Sequence, residues 1–358
     1  MNVPVPSAGL ANRARMVARL SETWFRRPAS PTRVVFDVTR RCNLRCGMCQ
    51  TWKHDGADEL SVPEIADILR QLPRLCWLDL TGGEPMLRKD AAELFAAVAE
   101  NTPRLVVLHF PTNGSFTRRT VEICTDFVAR RPEVELIVTV SIDGPPAVHD
   151  RIRGQTGAFA RAIETFAALR ALDRVAVFVG TTLTPDSEPH LDALAAELHS
   201  RFPDFDAREW HWNRLQVSEH FFANGRLADV AASRRSSIDE HVRRRGLPRG
   251  FVDLMELGFL INAEFVDPGS RRRSLVSPSA RPRSSAPRAS STPATCGIDR
   301  WGPCASIRSR SCGARTRSGS LAVKSSGSSA AAASRPARPI LPSRGPRSAP
   351  RSRPSGEA

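Results

Sequence analysis

The sequence contains no apolar run of about 18 residues, the length that marks a helix able to cross a bilayer. Residues 1–28 carry arginines throughout and have no uninterrupted apolar stretch like that of a secretory signal. We therefore expect a basic amphipathic helix at residues 1–30, a cytoplasmic protein and no membrane partner. In such a reducing compartment, clustered cysteines are more often metal ligands than disulfide partners.

The body of the chain lacks the positive charge that favours nucleic acid. Residues 267–358 contain 18 Lys and Arg against three Asp and Glu, which accounts for the whole net charge of +15. Residues 1–266 contain 34 residues of each sign. Nucleic acid is therefore not an expected partner of the body.

The C-terminal segment also lacks apolar residues. Ser, Arg, Pro and Ala dominate residues 267–358, so little surface is available for burial and we expect a largely disordered basic tail. The abrupt loss of hydrophobic periodicity near residue 267 also suits a tail translated partly out of frame, which reading the other two frames of the gene would test. Residues 226–266 are expected to form a helical connector.

Residues 31–225 alternate apolar strand patterns with amphipathic helix patterns. Strands are predicted at residues 33–39, 75–81, 104–110, 134–142 and 174–183, with a sixth near 208–217. Helices are predicted at residues 61–72, 89–100, 117–131, 157–172 and 187–202, and Ser61 with Glu64 forms a capping-box pattern. This order predicts an α/β fold with a partial (β/α)6 barrel, in which functional groups gather at the carboxyl ends of the strands.

The loop after the first strand contains three cysteines, one fewer than the four ligands of a closed metal site. Cys42, Cys46 and Cys49 follow the first strand with C-x3-C-x2-C spacing. Three thiolates suit zinc or an iron–sulfur cluster. A structural zinc needs a fourth ligand, for which His54 is a candidate. A cluster held by three cysteines would instead leave one iron open to a chelating ligand.

Together with two later segments, this loop resembles the radical S-adenosylmethionine (SAM) superfamily. Gly82-Gly83-Glu84-Pro85 follows the second strand, and SIDGPPAVHDRIRG occupies residues 141–154. The latter is similar to the segment of peptide-modifying members of the sulfatase-maturase-like, SPASM/twitch-type branch. The resemblance covers about residues 32–220. It implies reductive cleavage of SAM by a [4Fe–4S] cluster, followed by hydrogen abstraction from an unidentified substrate, with a peptide or protein as the expectation.

The resemblance also assigns roles to residues. Cys42, Cys46 and Cys49 would ligate the cluster, and SAM would chelate its open iron. The expected SAM contacts are Met48, Gly82, Gly83, Glu84, Ser141, Asp143, Arg153 and Leu183. Among these, Glu84 would accept from the SAM ammonium, Ser141 and Asp143 would bind the ribose, and Arg153 would pair with the carboxylate. The radical step needs no acid–base side chain, so no catalytic residue is named beyond the ligands.

Some of these positions keep a second interpretation. Met48 and Leu183 would lie on the adenine, although Leu183 is equally suited to the core. A further set either faces SAM or substrate or is purely structural: Thr112, Asn113, Gly114, His211, Trp212, Asn213 and His220. Cys76 and Cys124 are predicted to be buried free thiols.

The C-terminal cysteines depart from the pattern of the peptide-modifying branch. Relatives with this middle segment often carry auxiliary clusters on a cysteine-rich extension, whereas here Cys296, Cys304 and Cys312 do not reproduce that pattern. Auxiliary clusters are therefore not expected. The implied partner is a reductant such as flavodoxin or ferredoxin. The alternative interpretation is a non-catalytic zinc or iron–sulfur module with a basic nucleic-acid-binding tail, which leaves residues 141–154 unexplained.

Overall fold

The apolar runs of the sequence form the strands of one parallel sheet. In the computed structural model these strands are β1 (Arg33–Thr39), β2 (Trp77–Gly82), β3 (Val107–Thr112), β4 (Glu135–Ser141), β5 (Val175–Leu183) and β6 (Trp210–Arg214). Their order in the sheet follows their order along the chain, and each neighbouring pair is parallel. The predicted α/β partial barrel of six strands is therefore confirmed.

The structure describes this body almost completely and the termini only in part. The described residues are 14–15, 18–19, 30–57, 59–218, 222, 224–227, 241–243, 246–248, 254, 257, 299–301 and 304–307. Most of the expected N-terminal helix, the connector at 226–266 and the tail at 267–358 lie outside them, so those predictions stay open.

Seven described residues of the tail form two short strands, β7 (Asp299–Trp301) and β8 (Cys304–Ile307). The β8 strand pairs in parallel with β1, and β7 pairs antiparallel with β8. The open edge of β1 offers unpaired backbone groups to such an added strand. The prediction of a largely disordered tail at residues 267–358 stays a prediction, since most of these residues lie outside the described ones.

Helices cover one face of the sheet. In the described part of the chain they are α1 (Val62–Arg70), α2 (Ala91–Asn101), α3 (Thr117–Arg130), α4 (Pro146–Arg153), α5 (Ala158–Arg170) and α6 (Leu191–Arg201). Short 3-10 helices lie at Thr51–Lys53, Pro85–Leu87, Glu188–His190, Ala207–Glu209 and Gly225–Leu227. No helix in these ranges has the length and apolarity needed to cross a membrane.

The start of α1 and the end of α4 have defined capping structures. At α1, the Ser61 backbone N–H and hydroxyl donate to the Glu64 carboxylate at 2.9 and 2.7 Å, which confirms the predicted capping box. The α4 helix is absent from the sequence predictions because its pattern, PAVHDRIR, is short and polar. It ends at Gly154, whose φ of +67° is the left-handed conformation that glycine adopts at low cost.

The two faces of the sheet bury different side chains. On the helix face, large fully buried residues form the main core: Phe36, Phe95, Phe110, Phe127, Phe166, Leu78 and Leu80. On the interior face, a smaller apolar cluster lies near the amino ends of the strands: Cys76, Val106, Val107, Ile137, Ala176 and Phe178. Strand alternation also brings polar residues to this face, among them Asp79 and His109 in register with Ile137 and Ala176.

Candidate functional site

The three predicted cysteine ligands lie together in the loop that leaves β1. Cys46 is buried, Cys42 and Cys49 are partly exposed, and all three are free thiols. Each sulfur has a nitrogen donor from another residue. The pairs are Asn113 Nδ2 with Cys42 Sγ at 3.8 Å, Arg153 Nη1 with Cys46 Sγ at 3.8 Å, and Thr51 N with Cys49 Sγ at 3.4 Å. These donors favour sulfur atoms that carry negative charge.

Burial alone works against ionised thiols here. It raises the pKa of Cys42 to about 11, and it also raises the pKa of Cys46, although the Arg153 guanidinium opposes that shift. A bound metal would replace these protons, since the thiolate is the ligand.

The donor set fits an iron–sulfur cluster better than one zinc ion. A single zinc, with Zn–S distances of about 2.3 Å, would bring its thiolates within about 4 Å of one another. His54, the fourth zinc ligand considered above, is exposed at the end of the loop. Three soft thiols on one loop, each near a donor, suit a larger group with sulfur ligands.

The loop takes its conformation from backbone contacts with α4. Arg45 N donates to Arg153 O at 3.1 Å, and Gly47 N donates to Ile152 O at 3.3 Å. The approach is close enough that a Cβ on Gly154 would lie 2.7 Å from Arg45 O. The SIDGPPAVHDRIRG segment therefore positions the cysteine loop.

The Gly82-Gly83 turn packs against the other side of the loop. Gly83 N donates to Thr39 O at 2.6 Å, and Glu84 N donates to Arg41 O at 2.9 Å. A Cβ on Gly82 would lie 2.0 Å from Thr39 O, and one on Gly83 would lie 2.0 Å from Arg41 O. Only glycine permits this approach. The sequence explained these glycines by contact with SAM, and the structure adds that they let β2 touch the loop.

Glu84 joins the end of β2 to the end of β3. Its carboxylate is 1% exposed and accepts from Met86 N at 3.1 Å, Thr112 Oγ1 at 2.9 Å and Asn113 N at 2.7 Å. Burial raises the pKa of Glu84 to about 7, whereas these three donors favour the ionised form. The Asn113 side chain in turn donates to Asn43 Oδ1 at 2.9 Å. Thr112 and Asn113 are thus site residues as well as turn residues, and the expected contact of Glu84 with SAM stays a prediction.

A buried ion pair beside Cys46 joins β4 to α4. Asp143 Oδ2 lies 2.6 Å from Arg153 Nη2, and Asp143 Oδ1 accepts from Thr182 N at 2.9 Å. Asp143 has no exposed surface, so its predicted ribose contact and the predicted carboxylate contact of Arg153 stay predictions. The Arg153 Nε is buried and has no hydrogen-bond partner among the described residues. One donor of this guanidinium is therefore available for a ligand.

His149 is a buried neighbour of this pair that sequence reasoning missed. Its Nδ1 accepts from Asp143 N at 3.0 Å, and burial, with Arg153 next in importance, lowers the pKa of His149 to about 2. The ring is therefore neutral. The histidine of the PAVHDRIR pattern offered no signal beyond its place in the motif.

The remaining predicted SAM contacts differ in position. Leu183 is buried in the main core on the same side as Val177 and Val179, which favours the core interpretation. Ser141 is partly exposed at the end of β4, and Met48 is partly exposed in the cysteine loop. Their contact with SAM stays a prediction.

The β6 candidates Trp212 and His211 make contacts within the fold, and their alternative role beside SAM or substrate stays a prediction. Trp212 is buried and stacks on His241 with ring centroids 4.1 Å apart. His211 Nε2 lies 2.7 Å from Asn213 Oδ1. His220 lies outside the described residues. Cys76 and Cys124 are buried free thiols, as predicted.

The segment after β6 holds the cysteine loop in a way that no sequence pattern indicated. Asn224 Nδ2 donates to Met48 O at 3.0 Å, and Arg226 Nη2 donates to Gly47 O at 2.8 Å. Such single side chains on irregular backbone have no periodicity to reveal them.

The interior face carries a polar network that the sequence analysis also missed. Asp79 accepts from Arg33 Nε at 3.0 Å and from Trp77 Nε1 at 3.1 Å, and it lies 2.9 Å from His109 Nδ1. His109 Nε2 lies 3.0 Å from Thr139 Oγ1. Although burial opposes it, the Arg33 guanidinium holds the pKa of Asp79 below its usual value. The barrel interior therefore carries polar groups beside its apolar cluster.

Comparison with known proteins agrees with this geometry. Residues 36–198 match the model of the Radical SAM superfamily. Mycofactocin maturase MftC of Mycobacterium tuberculosis (strain H37Rv) is 32% identical over 232 residues, which cover 63% of this chain and 54% of that protein. Pre-heme d1 synthase of Dinoroseobacter shibae is 34% identical over 172 residues, which cover 45% of this chain and 39% of that protein. The chain thus spans about half the length of the first relative and less than half the length of the second.

The crystal structure of Streptococcus suis SuiB bound to S-adenosylmethionine aligns with a TM-score of 0.45 and 16% identity, covering 66% of this chain and 53% of that one.

The contacts of Glu84 predict a cost for changing its carboxylate. Glu84→Gln should lower the free energy of unfolding by about 1–3 kcal/mol, because the new amide NH2 would face backbone N–H or hydroxyl donors. Urea unfolding measures this value. The matched variant Glu93→Gln, at an exposed position of α2, should change it by less than about 0.5 kcal/mol. Equal effects of the two changes would contradict the assigned contacts.

Proposed function

We propose that this chain is a radical SAM enzyme that cleaves SAM reductively and abstracts hydrogen from a peptide or protein, since residues 36–198 match the model of that superfamily. The observation that carries the proposal is the loop of three free thiols, each within reach of a nitrogen donor. When bound, the [4Fe–4S] cluster supplies one electron to the sulfonium of SAM, which yields methionine and a 5′-deoxyadenosyl radical. A cytoplasmic location and a protein reductant belong to the same proposal.

The residues divide the task of holding the cofactors. Cys42, Cys46 and Cys49 would ligate the cluster through their sulfurs. Arg153 reaches Cys46 Sγ and Asp143 and keeps one buried N–H without a partner, so it suits the carboxylate of SAM. Asp143 orients the guanidinium rather than acting on substrate. These residues bind and position, while the cofactors supply the radical chemistry.

The barrel interior suits a substrate with amide groups. The apolar cluster near the amino ends of the strands closes that end to water. Beside it in the sheet, Asp79, His109 and Thr139 carry hydrogen-bonding groups on the interior face, of the kinds with which a peptide backbone can pair. The similarity to a protein named as a maturase supports the same substrate class.

Replacing one cluster ligand should abolish cofactor chemistry without unfolding the protein. After anaerobic reconstitution with iron and sulfide, Cys46→Ala should lose most of its iron–sulfur absorbance and form no 5′-deoxyadenosine from SAM with dithionite. Cys124→Ala, which removes a thiol from the helix-side core, should keep both. A Cys46→Ala protein that still forms 5′-deoxyadenosine would overturn the ligand assignment.

The role given to Arg153 predicts a specific loss of SAM affinity. Arg153→Gln should weaken SAM binding to the reconstituted protein by at least about tenfold in equilibrium dialysis, because a positioning group beside a metal ligand is lost. Since the single change also leaves Asp143 buried without its cation, the double variant Asp143→Asn/Arg153→Gln tests the same point with no unpaired charge. Wild-type SAM affinity in a folded double variant would contradict the role.

The substrate class has its own test. A candidate precursor peptide encoded near the gene should increase 5′-deoxyadenosine formation and change mass in step with it. An iron porphyrin serves as the comparison, because one similar protein is named as a heme-pathway synthase. Stimulation by the porphyrin and not by the peptide would overturn the peptide proposal while leaving SAM cleavage in place.

A further inference from the structure

We infer that an acidic one-electron carrier protein docks on the exposed outer side of the cysteine loop, at a basic face formed by Arg45, Lys53 and Arg226. This inference rests on the proposed function and assigns a surface to the reductant. All three side chains are exposed, and all three lie on or against the loop that contains the cluster ligands.

Contacts within the loop hold the three cations together. The Arg45 guanidinium lies over the Trp52 ring at 5.7 Å from its centroid, and the Lys53 ammonium lies at 5.4 Å from the same ring. Arg226 donates to Gly47 O at 2.8 Å. Cation–π contacts fix the positions of charged groups without neutralising them. The charge of the basic face therefore remains available to a partner.

Two other pairs of charged groups in the loop compensate each other. Arg40 pairs with Asp37 at 3.1 Å, and Arg41 pairs with Glu59 at 2.8 Å. Arg45 and Lys53 make no ion pair with any described residue. Asp55 is exposed nearby, its carboxylate accepts from Ala57 N at 3.0 Å, and the loop sequence also contains Asp58. The three cations of the basic face outnumber these two carboxylates, so the loop keeps an excess of positive charge, although the body as a whole is close to neutral.

A single residue, Trp52, connects the basic face with the cluster ligand Cys49. The Trp52 ring that carries both cations donates through Nε1 to Cys49 O at 3.1 Å. Cys49 itself is partly exposed. A carrier seated on Arg45 and Lys53 would thus lie beside Trp52, which contacts the backbone of the ligand Cys49.

The chemistry of the partner follows from this charge. The proposed reaction needs one electron per SAM cleaved, so the partner must be a protein that gives up single electrons. A carrier with an acidic surface is steered to a basic face at low ionic strength. In the transfer, one electron leaves the reduced carrier, the cluster gains it, and no bond or proton is exchanged.

Binding tests the surface without any need for cluster chemistry. Purified flavodoxin, an acidic carrier, should bind the full-length protein with an affinity that falls steeply between low and high salt. The double variant Arg45→Gln/Lys53→Gln should bind at least about tenfold more weakly at low salt. Arg118→Gln/Arg130→Gln, which removes the same charge from exposed positions on α3, should bind as the wild type does.

Turnover separates docking from the chemistry itself. With flavodoxin hydroquinone as reductant, Arg45→Gln/Lys53→Gln should form 5′-deoxyadenosine at least about tenfold more slowly than the wild type and the α3 variant. With dithionite, which needs no docking surface, all three proteins should react at similar rates. Equal flavodoxin-driven rates, or binding that does not depend on salt, would overturn the inference. Absence of product with dithionite in the wild type would instead overturn the proposed function.

Discussion

The contact between the Gly82-Gly83 turn and the backbone of the cysteine loop is the constraint on which the site depends. Two carbonyls of the loop, at Thr39 and Arg41, accept N–H groups from this turn. A side chain at either glycine would meet those carbonyls at 2.0 Å, so the contact exists only because both Cβ atoms are missing. This contact, that with α4, and those of Asn224 and Arg226 with the backbone of Met48 and Gly47 together fix where the sulfurs lie.

From that contact, each neighbouring strand contributes one polar group to the loop. Glu84, after β2, accepts a hydrogen bond from Asn113 N after β3, and Asn113 Nδ2 donates to Cys42 Sγ. Asp143 after β4 holds Arg153, and Arg153 reaches Cys46. A parallel sheet brings the carboxyl ends of its strands to one edge, so residues far apart in sequence supply separate donors to one short loop. The arrangement buries two charges, and Asp143 and Arg153 compensate each other as an ion pair.

Patterns with a period or fixed spacing could be predicted from the sequence, and single contacts could not. The β1 strand lies at the predicted residues, because its apolar run ends where the polar loop begins. The β2 strand starts later than predicted, because the backbone N–H groups of Cys76 and Trp77 both turn to Thr32 O before the ladder begins. The sequence predicted that Arg153 contacts the SAM carboxylate. It could not predict the ion pair with Asp143, because that contact depends on how α4 packs against the end of β4.

The two faces of the sheet bury different kinds of side chain. The large aromatic and aliphatic side chains lie on the helix face, where they stabilise the sheet without reaching the loop. On the interior face, Asp79 and His109 lie in register with Ile137 and Ala176 of the apolar cluster, and Thr139 lies beside Phe178. Buried polar groups must satisfy one another, and these do so through contacts between neighbouring strands. The interior face therefore holds its polar groups in a fixed network among apolar neighbours.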